Sequence, residues 1–318
     1  MEKFIGDTSK LCIQERVIGS KTDKIGVFGF SSRGKSHKEK GLPGQDANSI
    51  KIVNYNHNTL IAAIADGVGS AALSHYGSSI ATNTATDYLA RIFHTSDIRN
   101  MEDRQIGDHI REAMRRACKN VRQEAESNQQ FEYSYQSTLT IAIYDGDNLY
   151  FGHIGDDGIV ALTKQGVLEL VTKRHKGAEC NSVYPLQNGE KYWQVAKVMD
   201  VDGFVMATDG VLDAFVKDEY EKNRVYYPLI EPAFKGNPGT IRRTYQDFLD
   251  AGQDQLDYMK SDKFRERVTD DITFITCVNP ERILQNPYEF DEKAWKHDDQ
   301  FYQNKRKKGL YGGTHGDR

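Results

Sequence analysis

Short apolar runs that begin or end on aspartate constrain this chain more than any other feature. In "IAAIADGVGS", Ile61 to Ser70, a run of small apolar residues stops at Asp66-Gly67, and Gly69 follows. The junction recurs. Asp46 precedes a strand-like run in "GLPGQDAN", and Asp156 and Asp157 separate two runs in "FGHIGDDG". Asp209 follows a run in "VMATDG", and Asp270 and Asp271 precede one in "VTDDITF". A single Asp-Gly is an ordinary turn, and Asp caps helices well. Five such junctions call for more. Buried, unpaired carboxylates are costly, so aspartates brought together need a cation or protons. Hard divalent ions such as Mg²⁺ and Mn²⁺ prefer these oxygen donors. Glycine after Asp66 and Asp209 permits a sharp turn and lets a backbone carbonyl approach a cation.

The rest of the pattern frames those junctions. Residues 25–30, "ANSIKIV", "TLIAAIA", "GFVMATDG" and "DITFITCV" read as strands, with "NYNHN" as a turn. Ser74 to Phe93 reads as a helix, with Tyr76, Ile80, Thr84, Tyr88 and Ile92 on one face. Ile106 to Glu126 reads as a second, striped by Ile106, Ile110, Ala113, Met114, Ala117 and Val121. A third is expected from about Thr240 to Met259. "STLTIAIY", "NLYFGHIG", "GIVALT" and "VLELVT" suggest an antiparallel meander joined by "DGD", "DD" and "KQG". Helices inserted between strand groups, rather than alternating with them, predict an α+β fold with antiparallel sheets covered by helices.

The formal net charge of −4 over 318 residues argues against a strongly electrostatic nucleic-acid binder. No apolar run reaches membrane-spanning length, and the first residues lack a signal-peptide core. Cys12, Cys118, Cys180 and Cys277 lie far apart with no CxxC pair, which suggests neither a disulfide framework nor a zinc site. A cytoplasmic setting is the expectation. Residues 1–280 are expected to form one domain. Residues 281–318, ending in "NKRKKGLYGGTHGDR", are expected to form a polar, partly basic, flexible tail.

The wording around the aspartates resembles the metal-dependent Ser/Thr protein phosphatases of the 2C type. "GQDAN", "IADGVGS", "STLTIAI", "HIGDDG", "MATDGVLD" and "TDDITFI" follow the family's order, roughly from Ile25 to Val278. "GKSHKEKGLPGQDA" looks most like a bacterial branch. The resemblance implies a four-layer α-β-β-α sandwich of two central antiparallel sheets flanked by helices. It implies a centre holding two Mn²⁺ or Mg²⁺ ions, and in many members a third. Asp66 would bridge the ions and the Gly67 carbonyl would reach one. Asp209 and Asp270 would hold the other, Asp46 would act mostly through a water, and Asp156 would serve the third. Asp46, Asp66, Asp209 and Asp270 are thus the implied catalytic set. The implied reaction is attack of a cation-activated water on phosphoserine or phosphothreonine in a protein substrate, which a cognate kinase would phosphorylate. No protein nucleophile is then required.

Several positions depart from that pattern. Many members carry Arg five residues before the first Asp, to hold the phosphate; here it is Gly41. Arg33, His37 and Lys40 are the basic candidates in that loop, and His37 is the choice. Gln45 stands for the usual Glu, and Val68 for a histidine proposed as general acid. Asp157 stands for Ser and reads as a turn residue. In "VTKRHKGAECNSVYPLQNGE", where relatives carry a flap, Arg174-His175 replaces an Asp-His pair. His153 reads as a packed strand histidine, and Lys305 to Lys308 as a solvated basic cluster. A weakly active or inactive regulatory module and a phosphatase of small metabolites stay open as other readings.

Overall fold

The computed structural model describes residues 17–174, 183–219, 222–225 and 244–285, with positions 293, 296, 297 and 300. His175, Cys180, Cys12, the Lys305–Lys308 cluster and most of the expected tail lie outside the described residues.

Two antiparallel sheets stack face to face. One holds six strands: β1 (Ile18–Lys21), β2 (Gly26–Ser32), β13 (Ile272–Val278), β10 (Val201–Ala207), β7 (Gly158–Thr163) and β8 (Leu168–Leu170), in that spatial order. The other holds β3 (Ala47–Tyr55), β4 (His57–Ala65), β5 (Leu139–Tyr144), β6 (Leu149–Ile154) and β9 (Gln194–Val198). A separate hairpin pairs β11 (Val216–Glu219) with β12 (Lys222–Val225). The long helices α2 (Ser74–Phe93) and α3 (Asp103–Ser127) pack on the five-stranded sheet, and α5 (Tyr245–Lys260) packs on β1 and β2. Four short helices complete the described set: α1 (Lys35–Glu39), α4 (Asp209–Phe215), α6 (Asp262–Arg265) and α7 (Pro280–Gln285). The result is the expected α+β sandwich of four layers.

β4 explains why its sequence is apolar throughout rather than alternating. Ile61, Ala63 and Ala65 face the core shared with α2 and α3, while Leu60, Ala62 and Ile64 face the other sheet. A strand covered on both faces has no solvent side to mark with polar residues.

Two expectations need correction. The four runs expected as one meander divide between the sheets: β5 pairs with β6, and β7 pairs with β8 and β10. β6 is buried throughout and β7 is buried up to Thr163, so neither run marks in sequence the sheet to which it belongs. The "GDD" between them is a crossing from sheet to sheet, begun by Gly155 at φ 122°. The second correction concerns α2. Its expected stripe of Tyr76, Ile80, Thr84, Tyr88 and Ile92 is half-buried, and the face set into the core is mostly small, Gly77, Ser78, Ala81, Thr82, Ala85 and Thr86, before it closes on Leu89 and Phe93. Small residues let the helix lie close on β3 and β4. The hydroxyls are satisfied locally: Ser78 donates to the Gln45 carbonyl at 2.5 Å, and Ser49 and Thr86 share a bond of 2.8 Å.

α3 buries the stripe expected of it and starts with a capping box between Glu102 and Gln105. α5 opens at Thr244, whose hydroxyl accepts the Asp247 N–H at 3.2 Å. The expected turn "NYNHN" contracts to Asn56 alone at φ 60°, a conformation Asn tolerates. α7 runs past residue 280, and Arg282 reaches Asp147 at 2.5 Å and Asp202 at 3.3 Å.

Candidate active site

Antiparallel pairing brings the aspartates together. Asp46 precedes β3 and Asp66 follows β4. These strands pair with Ala47 opposite Ala65, so both carboxylates stand at one end of the hairpin. Asp209 follows β10, while Asp157 precedes β7 and Asp271 precedes β13. β10 pairs with both, placing Ala207 opposite Gly158 and Phe274. Aspartates placed alternately before and after strands fall at one end once those strands are antiparallel.

At that end lies a cleft of about 690 Å³, lined by Asp66, Gly67, Asp156, Asp209 and Asp270 with Gln45, Thr138 and the loop Val68–Ser70. His37 and Lys40 line the same cleft. Arg33 is not among the lining residues and donates to the Leu42 carbonyl at 3.3 Å. Asp46 is buried and accepts the Thr208 hydroxyl at 2.7 Å. Ligand atoms of Asp66, Asp156 and Asp157 lie within 4.8 Å of one another, as do those of His37, Asp270 and Asp271.

Burial and mutual repulsion set the electrostatics of these carboxylates. Burial pushes the carboxyls of Asp46, Asp66 and Asp157 well above the usual aspartate range. Neighbouring carboxylates push the same way: Asp271 on Asp46, Asp46 on Asp66, and Asp156 on Asp157. Asp209 is raised to about 7, first by burial and then by Asp156 and Asp270. Two like charges at about 4 Å repel by about 4 kcal/mol at an effective dielectric of about 20. Asp157 Oδ1 is buried with no hydrogen-bond partner. This donor set, all oxygen and short of positive charge, fits hard divalent cations.

Asp271 does different work from its neighbour. It is 3% exposed, and it accepts the N–H groups of Gly34 and Gln45, both at 2.5 Å. His37 Nδ1 lies 2.9 Å from the same carboxylate, and that bond holds the imidazole pKa above its ordinary value. Asp271 therefore pins the loop that delivers Asp46, and it pins His37 against the cleft. Gly210 is dictated by the same junction: a Cβ there would sit 2.3 Å from the Asp271 carbonyl oxygen.

Further residues hold the ligand set from behind. The Thr138 hydroxyl accepts the Asp66 N–H at 2.7 Å and donates to Asp157. Asp157, expected as a turn residue, is fully buried and faces inward. Arg174 donates through Nε to the Asp156 carbonyl at 2.7 Å, and its Nη2 lies 2.5 Å from Asp213 on α4. His153 is a packed strand histidine, as expected: Nδ1 meets Thr140 Oγ1 at 2.8 Å and Nε2 meets the Lys173 carbonyl at 3.1 Å. Thr208 and Asp213 have no signal in the sequence, because their partners are distant in it; Arg174 stands out only as a departure in the flap-like segment, and its bonds to Asp156 and Asp213 are not legible there.

Comparison with known proteins agrees with this geometry. A family model described as Protein phosphatase 2C matches residues 33–247. No curated protein matches the chain significantly. Among solved structures, the S. agalactiae serine/threonine phosphatase superposes with TM-score 0.55 at 16% identity, covering 80% of this chain and 99% of that one. Stp1 from Staphylococcus aureus gives 0.53 at 18%, covering 79% and 94%. RsbX in complex with magnesium gives 0.50 at 12%, covering 83% and 99%. These likenesses carry the fold, and the family model carries the class: a metal-dependent hydrolase of phosphate esters. The chain belongs to the protein phosphatase 2C family and is a protein serine/threonine phosphatase. Among the described residues no helix is long and apolar enough to cross a membrane.

Proposed function

We propose that Asp66, the Gly67 carbonyl, Asp209 and Asp270 hold two divalent cations, Mn²⁺ or Mg²⁺, with Asp46 acting through a water and Asp156 serving a third. The observation that carries this is the convergence of carboxylates from four chain segments on one cleft, Asp66, Asp156, Asp209 and Asp270, with those of Asp66 and Asp209 raised in pKa by burial and by neighbouring carboxylates. Cations bound there supply an acidified water and neutralise charge on the transferred phosphoryl group.

The chain's own residues prepare that chemistry. Thr208 orients Asp46 and Thr138 orients Asp157. Asp157 joins Asp156 as a further donor, supported by its unpartnered buried oxygen. His37 is the proposed phosphate contact, its imidazole pKa raised beside Asp271, and Lys40 adds a positive charge in the cleft. With Val68 in place of a histidine, no imidazole follows Asp66-Gly67 to protonate the leaving alkoxide, so that proton comes from water.

The catalytic unit is proposed to run to about residue 285, where α7 closes it, a few residues beyond the expected 280, with the remainder to 318 a tail. A cytoplasmic setting and an opposing serine/threonine kinase belong to the same proposal. The first rests on the separated cysteines, the second on the need for something to make the phosphoprotein substrate. Calorimetric titration of the chelator-treated protein with Mn²⁺ tests the metal assignment. Asp66→Asn is expected to lose the tight binding step. Wild-type stoichiometry and affinity in that variant would contradict the assignment.

A further inference from the structure

A second cavity, of about 470 Å³, shares Asp209, Asp213 and Asp270 with the catalytic cleft. Its other wall is α6 and the turn after it. Lys263 and Arg267 line it, both exposed, and the Arg267 N–H donates to the Phe264 carbonyl at 3.0 Å. The helical turn therefore continues and sets the two cations one turn apart, on the same side. Neither forms an ion pair within the described residues. Tyr258, 38% exposed, stacks edge-on against Phe264 with ring centroids 5.6 Å apart and gives the cavity an aromatic wall.

The charge of this cavity follows from which of its carboxylates are committed. Asp213 is matched by Arg174. Asp209 and Asp270 are matched by the cations of the proposed metal centre, on which this inference rests. Among the described residues, Lys263 and Arg267 are left as two positive charges without an ion-pair partner. Their position is fixed: Arg265 is buried, donates through Nη1 to the Asp270 carbonyl at 2.7 Å, and reaches Ser32 Oγ at 3.1 Å through Nη2. The cationic wall is thus tied to the peptide of a proposed metal ligand.

We infer that this cavity is a specificity subsite for an anionic side chain flanking the phosphorylated residue of the substrate. A carboxylate and a second phosphate share the required chemistry, and both suit an Arg-Lys pair. The test compares phosphothreonine peptides that differ at flanking positions: alanine throughout, one glutamate walked through each position, or one phosphoserine. The expected result is a kcat/KM about ten-fold higher for the best glutamate peptide than for the alanine peptide, shrinking as ionic strength rises. A larger gain with the phosphoserine peptide assigns the subsite to a second phosphate, and a gain with glutamate alone assigns it to a carboxylate. In Lys263→Glu/Arg267→Glu the preference inverts toward a lysine-flanked peptide, a change that mere loss of folding does not produce. Equal kcat/KM for acidic and neutral peptides, or a preference that survives the charge reversal, overturns the inference and leaves the metal centre standing. Failure to hydrolyse any peptide with Mn²⁺ or Mg²⁺ contradicts the metal-centre reading, and this inference falls with it.

Discussion

Asp270 and Asp271 are adjacent and chemically identical, and their surroundings divide their roles. Asp270 is exposed to the cleft, whereas Asp271 is buried and accepts two backbone N–H groups beside His37. Asp271→Ala leaves those donors and His37 without their acceptor, and it is expected to destabilise the fold by about 3 kcal/mol. Asp270→Asn is expected to melt close to wild type once chelator is present, yet to bind Mn²⁺ more weakly. Thermal melts in chelator beside a metal titration check both, and reversed outcomes would exchange the roles. Gly210→Ala places a methyl 2.3 Å from the Asp271 carbonyl oxygen. A shift of that junction is expected to cost about 1–3 kcal/mol, read as a lowered Tm. The sequence located these aspartates because each interrupts an apolar run. It could not separate Asp270 from Asp271, since the donors to Asp271 come from more than two hundred residues away. The same distance hid Thr208, which is 162 residues from Asp46.

Elements with strong periodicity were legible, and those defined by packing were not. α3 displays its stripe because its opposite face meets water. α2 misled because the first turns of its deepest face are mostly Gly, Ser, Ala and Thr, which suit close approach rather than apolarity, and only its end carries Leu89 and Phe93. The division of the expected meander between two sheets was hidden because β6 and β7 are apolar on both faces. α3 crosses β6 at Gly152, where a Cβ would sit 2.4 Å from Ile110 Cγ2. Gly152→Ala is expected to destabilise by about 1–3 kcal/mol through overpacking. Adding Ile110→Ala makes room, so the double variant is expected to be less destabilised than the sum of the two single variants. Strict additivity in denaturant melts would show that this contact does not set the spacing.

Across the whole molecule, the raised carboxyl pKa values link stability to pH and metal. Asp209 is raised from 3.8 to about 7, so the folded chain binds more protons than the unfolded chain between those values. Stability from this group is full below about pH 4 and is lost as pH rises toward 7 and beyond; Asp46, Asp66 and Asp157 shift in the same direction. The chelated protein is therefore expected to lose this contribution on going from pH 5 to pH 8, and Mn²⁺ is expected to raise Tm more at pH 8 than at pH 5. An equal metal-induced rise at both values would argue against cation and protons competing for one site.

The most direct measurement is turnover of a phosphothreonine peptide by wild type and Asp209→Asn, each with Mn²⁺, with Mg²⁺ and with chelator. Turnover by wild type that depends on metal, and falls at least about a hundred-fold in the variant, is the expected result. Wild-type turnover that persists in chelator, or a variant as active as wild type, would contradict catalysis by cations held on these aspartates.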